Sequence, residues 1–146
     1  MAAALIDTNL LVYAHDPGEP DKAAVAIETL DRLQATQEGH LSAQCLAEFF
    51  VVITRGESPL LSAPEAAQQI ALLARAFHTH DITAMIVLEA GRGVREHGFA
   101  YWDAQIWATA RLNQLPLILS EDFQHGSIFE GVEFLNPFIS DQAGRA

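Results

Sequence analysis

Apolar residues along this chain follow two rhythms, and each predicts a different kind of element. The first is the short unbroken run expected of a strand buried on both faces. "AALI" (3–6) is such a run and ends at Asp7. "LPLILS" (115–120) is the clearest one, and "VEFLNP" (132–137) reads as the last. "HLSA" (40–43) and residues 81–83 read as two further short strands. The second rhythm is the stripe of a helix with one buried face. It sets Leu10, Leu11 and Ala14 on one side of a helix after Asp7. It sets Ala23, Ile27, Leu30 and Leu33 along another, with Pro20 marking its start. "QCLAEFFVVIT" suits a helix, although "FFVVIT" alone also suits a strand. "SAPEAAQQIALLARAF" is the plainest helix: Ser62 is the N-cap, Pro64 sits in the first turn and Glu65 completes a capping box. Its stripe is Ala66, Ile70, Leu73, Ala74 and Phe77. "MIVLEAGRGVREHG" reads as a helix closed by Gly98, in spite of Gly91 and Gly93 inside it. A helix beginning near Asp103 sets Asp103, Ile106, Trp107 and Ala110 on one face.

Strands alternating with helices predict an α/β domain around a mainly parallel sheet. No repeat or dividing linker interrupts the pattern, so residues 1–140 read as one domain with a short tail at 141–146.

Composition then narrows the function. With 146 residues, half of them apolar, the chain can bury a real core. The net charge of −11 argues against a broad basic surface for nucleic acid. A phosphate-bearing substrate would need local help from a few arginines or from bound metal cations, because Lys22 is the only lysine. Cys45 is the only cysteine, which excludes an internal disulfide and a cysteine metal cage and points to a reducing compartment. "MAAALIDTN" has no basic n-region, and no uncharged run reaches the roughly 18 residues of a membrane span. The expectation is a soluble, cytoplasmic protein that does not enter a membrane.

Four acids stand in positions that ask for a reason. Asp7 follows the first strand directly, Asp122 lies just past "LILS" beside Glu121, Asp103 heads an apolar helix face, and Glu48 shares a helical face with Cys45, Phe49 and Val52. Ligands of open parallel sheets bind beyond the carboxyl ends of the strands, where Asp7 and Asp122 fall. Each acid alone has a plain structural reading: Asp103 and Asp7 as helix caps, Asp122 in a turn. Together they lack enough basic partners, and an unpaired buried carboxylate costs several kcal/mol. A hard divalent cation would relieve all four at once.

Other signals carry less. His78 and His80 in "FHTH" are two residues apart, which does not put them on one helical face, and no third zinc ligand is apparent. His125 sits beside the acids and could touch substrate or make a structural hydrogen bond in a turn. Arg92 and Arg95 could share a helix face and grip RNA phosphates or an acidic partner, or simply be solvated. Trp102 could stack on bases, whereas Trp107 suits the core. "GRGVREHG" lacks the strand before it and the Lys-Ser/Thr of a P-loop. A receiver domain or an aspartate-nucleophile phosphatase would need a late lysine, and the phosphatase an Asp where Asn9 stands.

The blocks "LIDTNLLVYA", the isolated Glu48, "YWDAQIWATA" and "LSEDFQHG" occur in the order and spacing of PIN-domain ribonucleases. The chain most resembles the VapC-type toxins of bacterial toxin–antitoxin pairs, from residue 5 to about 137. That resemblance implies a three-layer α/β/α sandwich and Mg²⁺- or Mn²⁺-dependent hydrolysis of RNA. Asp7, Glu48, Asp103 and Asp122 would be the catalytic acids and would hold one or two ions. Thr8, Asn9 and Ser120 would position ligands or the scissile phosphate. A cognate antitoxin, RNA, and a homodimer or a dimer of toxin–antitoxin pairs are the implied partners. A module that binds RNA or protein without cutting is the alternative.

Overall fold

The computed structural model describes residues 2–139, so the short tail expected at 141–146 lies outside the described residues. The first strand, β1 (Ala4–Ile6), is buried on both faces. It stops at Asp7, whose extended backbone and side chain cap the short α1 (Thr8–Tyr13). α2 (Pro20–Thr36) starts on its proline and ends at Gln37 in the left-handed region. β2 (Gly39–Ser42) runs straight into α3 (Ala43–Thr54), because the Ser42 hydroxyl accepts a hydrogen bond from Cys45 N as its N-cap. The tract 49–54 is therefore helix and not strand. α4 (Ala63–Ala76) carries the full Ser62/Glu65 capping box. β3 (His78–His80), α5 (Ala84–His97), α6 (Tyr101–Leu112), β4 (Leu117–Leu119), β5 (Ile128–Phe129) and β6 (Val132–Leu135) complete the order.

The six strands form one sheet in the order β3-β2-β1-β4-β6-β5. All neighbours are parallel except β5 with β6. Alternation along the strands fills two cores. Leu5, Ile118 and Phe134 face α5 and α6, together with Trp107, Ala104, Ala108 and Ala90. Ala4, Ile6, Leu41 and Leu119 face the other way, onto Leu10 and Leu11 of α1, Leu33 of α2, Phe49 and Ile53 of α3, and Ala66 of α4. The expected three-layer α/β/α sandwich with a mainly parallel sheet is the observed fold.

The structure corrects three expectations and adds one strand. The buried line of α2 is Ala26, Thr29 and Leu33, while Ile27 is 46% exposed. Leu30 and Leu33 of the expected stripe still pack on the core, beside small Ala26 and Thr29, so it is Ile27 that turns away from the sheet. Residues 81–83 are not a strand: β3 lies just before them, and Thr83 is the N-cap of α5, accepting from Ile86 N. Asp103 is not an N-cap. α6 begins at Tyr101 behind Ala100, which makes no side-chain cap, and Asp103 sits one step inside the first turn. β5 was not foreseen, because two residues give no periodicity to read; it returns on β6 through Glu130 and Gly131, at φ 52° and 86°.

Candidate active site

β1 and β4 lie side by side in register, Ile6 beside Leu119, so the residues that follow them meet. Asp7 N donates to Leu119 O at 3.0 Å. The Asp7 carboxylate then accepts from both flanks: Oδ2 from the Ser120 hydroxyl at 2.6 Å, Oδ1 from Thr8 N at 2.7 Å. Ser120 Oγ accepts from Asp122 N at 3.0 Å, which fixes the turn that carries Asp122. Asn9 Nδ2 donates to Asp122 Oδ2 at 3.2 Å and to Ser120 Oγ at 3.3 Å. From α3, Glu48 reaches in and accepts from the Thr8 hydroxyl at 2.8 Å. Asp103 arrives from the first turn of α6. All four acids, with Thr8 and Asn9, line one cavity of about 560 Å³. Its remaining wall is largely apolar, formed by Val12, Val51, Val52, Trp102 and Ile106 among others.

Asp7 and Glu48 belong to one tight group: their oxygens and the Cys45 sulfur all lie within 4.8 Å of one another. Asp103 and Asp122 line the same cavity without joining that tighter group. None of the four acids forms an ion pair with a described cation. The nearest ion pair is Lys22 with the adjacent Glu121, at 2.9 Å, and Tyr13 OH donates to the same Glu121 at 2.6 Å. The electrostatic consequence falls on Asp7. Burial pushes its pKa up from 3.8 to about 6, against the lowering pull of Ser120 and Thr8, and with added repulsion from Asp122 and Glu48. Asp103 is raised for the same reasons, partial burial first and then Asp122 and Glu48. Cys45, fully buried beside Asp7, is pushed up to about 12 and stays a thiol; its sulfur donates weakly to Asp7 Oδ1 at 4.0 Å.

This donor set fits a hard divalent cation. Two oxygens on one octahedral ion stand about 3 Å apart when adjacent and about 4.2 Å when opposite, and the Asp7 and Glu48 oxygens lie within 4.8 Å of each other. Repulsion among acids that no cation neutralises is the strain such an ion would remove. Asp7, Glu48, Asp103 and Asp122 are the residues able to hold it.

Behind the acids runs a relay that the sequence did not suggest. Tyr101 OH donates to Gln105 Oε1 at 2.8 Å, and Gln105 Nε2 donates to Gln44 Oε1 at 2.9 Å. Gln44 Nε2 donates to the Trp102 carbonyl at 3.2 Å and leans on Glu48 Oε2 at 3.4 Å. The relay ties α3 to α6 and thereby Glu48 to the turn that bears Asp103. The one available signal was Gln105, a buried polar residue inside the otherwise apolar run of α6.

The outer candidates separate. Arg92 donates through Nε, Nη1 and Nη2 to Glu89, Glu96 and Glu130, at 2.6–2.9 Å. Arg95 projects into solvent, 3.8 Å from Glu96. His125 makes the structural bond, its Nδ1 accepting from Asn136 N at 3.0 Å. Trp107 is fully buried, with its indole N–H on Phe129 O, while Trp102 is 61% exposed on the cavity rim. No helix among the described residues is long and apolar enough to cross a membrane.

The sequence profile of the PIN domain matches residues 4–128 of the chain. No curated protein matches it in sequence. Among solved structures, a toxin–antitoxin complex from Klebsiella pneumoniae is similar at 19% identity and TM-score 0.67, over 92% of this chain and 98% of that one. The FitAcB structure from Neisseria gonorrhoeae matches at 21% identity and TM-score 0.67, again over 92% and 98%. A sarcin–ricin-loop-cleaving VapC toxin of Mycobacterium tuberculosis matches at 17% identity and TM-score 0.61, over 80% and 87%. At such identities these neighbours speak for the fold.

Proposed function

Since this chain belongs to the PIN-domain family, we propose that it is a Mg²⁺- or Mn²⁺-dependent endoribonuclease and the toxin of a toxin–antitoxin pair. One observation carries the reading: four carboxylates from four separate segments line a single cavity without a described cation to pair them. Such a cluster is costly unless a metal uses it. A divalent ion held there would neutralise the approaching phosphates and lower the pKa of water for attack on phosphorus.

The chain's own residues have distinct tasks. Asp7 is locked by Thr8 N and the Ser120 hydroxyl, so both its oxygens are oriented before anything binds. Glu48 is held by Thr8 and Gln44. Asn9 steadies Asp122. Asp103, in the first turn of α6, stands near the positive end of a helix dipole, which favours its ionised form while burial opposes it. Ser120, Thr8 and Asn9 therefore act by positioning the acids, and of the three only Thr8 and Asn9 also line the cavity. The apolar wall beside the acids suits a nucleobase or an apolar side chain of a partner protein. That surface, and the toxin–antitoxin complexes among the structural neighbours, support a cognate antitoxin as partner, in a homodimer or a dimer of pairs.

The test uses purified, partner-free protein with labelled RNA. Cleavage with Mg²⁺ or Mn²⁺, its loss in EDTA and its loss in a folded Asp103→Asn variant are the expected results. RNA bound stably but left intact under all conditions would instead identify a non-cleaving binding module.

A further inference from the structure

Trp102 stands between two hollows. On one side is the acid-lined cavity, and on the other a second cavity of about 580 Å³. Ala47, Glu48 and Trp102 border both. Ala43 and Ile82 add apolar wall to the second, and Gln44 and Gln105 add two amides. α3 runs along the pair of hollows. Its Val51 and Val52 border only the first, its Ala43 and Gln44 only the second. About one helical turn, roughly 5.4 Å, separates each of these pairs from Ala47 and Glu48. A phosphate held at the acids therefore has the second hollow within reach of its neighbouring base.

The side chains suit such a base. Trp102 is 61% exposed. Its described ring contact, with Tyr101, is T-shaped at 5.1 Å, so no described ring is stacked on the indole. The platform is nevertheless fixed, because the Trp102 carbonyl accepts from Gln44 Nε2 at 3.2 Å and Gln44 Oε1 accepts from Gln105 Nε2 at 2.9 Å. Gln105 is buried, and its described bonds use one of the two Nε2 hydrogens, which leaves the other for an acceptor on a base edge. Apolar walls with a few fixed polar groups and an exposed indole are what a flat heteroaromatic ring requires.

We propose that the second hollow receives the base of the nucleotide adjoining the scissile phosphate, stacked on Trp102, so that the substrate is single-stranded RNA with an unstacked base. The inference rests on the endoribonuclease reading of the acids and names the substrate class of that site. Charge favours the same occupant. A chain with a net charge of −11 has no broad basic surface to hold phosphates. Its grip on RNA comes from cations at the acids and from uncharged contacts, of which base stacking is the strongest the cavity rim offers. Paired RNA keeps its bases stacked inside the helix and presents none to the indole.

The chain has two tryptophans and Trp107 is fully buried, so quenching of indole emission by a bound base reports on Trp102. Short RNA strands of A, C, G or U, and an abasic strand of equal length, are titrated onto the full chain in Ca²⁺. Cleavage of the same strands is followed in Mg²⁺. The expected result is saturable quenching by at least one base-bearing strand and none by the abasic strand. Trp102→Ala should weaken binding of that strand about 5–150-fold, the loss of one base–aromatic stack. The loss should be equal at low and high salt, because no phosphate contact is removed. Trp102→Phe should recover most of it, and Mg²⁺ binding by calorimetry should match wild type in both variants. Ala43→Leu, which narrows the second hollow alone, should raise KM more than it lowers kcat. RNA that is cut while indole emission stays constant, or that Trp102→Ala binds as wild type does, would overturn the base site. The hollow would then fall to a side chain of a protein partner, with the ribonuclease reading intact. RNA neither bound nor cut would overturn both.

Discussion

Asp7 carries the tension of the whole site. Its pKa near 6 in the folded chain exceeds the 3.8 of an ordinary aspartate because burial opposes its charge. Between those two values the folded chain holds a proton that the unfolded chain has released. Stability of the metal-free protein therefore falls as pH rises through that window, by up to about 3 kcal/mol from this residue. In EDTA, Asp7→Asn should melt above wild type at pH 7, and the gap should close as the pH drops below 4. A wild type whose EDTA melting point rises steadily from pH 4 to 7 relative to the variant would contradict this. Saturating Mg²⁺ should reverse the order, since the ion stabilises only the intact carboxylate set. Asp7, Glu48, Asp103 and Asp122 were legible because each broke a local rule. Gln44, Gln105 and Tyr101 were not. They stand up to 61 residues apart and form a relay only after α3 and α6 have packed.

At the scale of elements, caps and periods were the readable features. Ser62 and Gly98 each bound a helix as the sequence suggests, whereas the N-cap role of Thr83 emerged only in the fold. The two glycines inside α5 have opposite meanings. A Cβ at Gly93 would fall 2.8 Å from the Trp107 ring, so that glycine lets α5 approach α6; a Cβ at Gly91 would meet nothing within 4 Å. Gly91→Ala should raise stability by about 0.5–1 kcal/mol. Gly93→Ala should lower it by about 1–3 kcal/mol through overpacking. Chemical denaturation of both variants checks the pair, and similar effects at both positions would refute the packing argument. β3 escaped prediction because its residues are polar and half exposed, as an edge strand allows; its conformation follows from pairing with β2.

Across the whole molecule, the ion-pair cluster on the α5–α6 side joins parts remote in sequence. Arg92 binds Glu89, Glu96 and Glu130 and lies 5.5 Å from the Trp107 ring, while Arg111 adds bonds to Glu89 and Glu130. These bonds hold Glu130, in the turn between β5 and β6, against both helices. Arg92→Met should lower Tm at low ionic strength and shrink the difference between low and high salt. An unchanged Tm and salt dependence would show the cluster to be idle. With Arg92 so engaged, the exposed Arg95 is the freer of the two for contact with RNA or a partner.

The sequence by itself determined the alternation of strands and helices, the two-sided burial of the sheet and the four acids, because these follow from period, capping and the cost of an isolated charge. Only the tertiary structure decided which face α2 buries, that Gln105 and Gln44 brace Glu48, that Arg92 is held by glutamates, and that His40 stands beside His78. Each of those depends on register or packing between segments dozens of residues apart, and local pattern contains no measure of that distance.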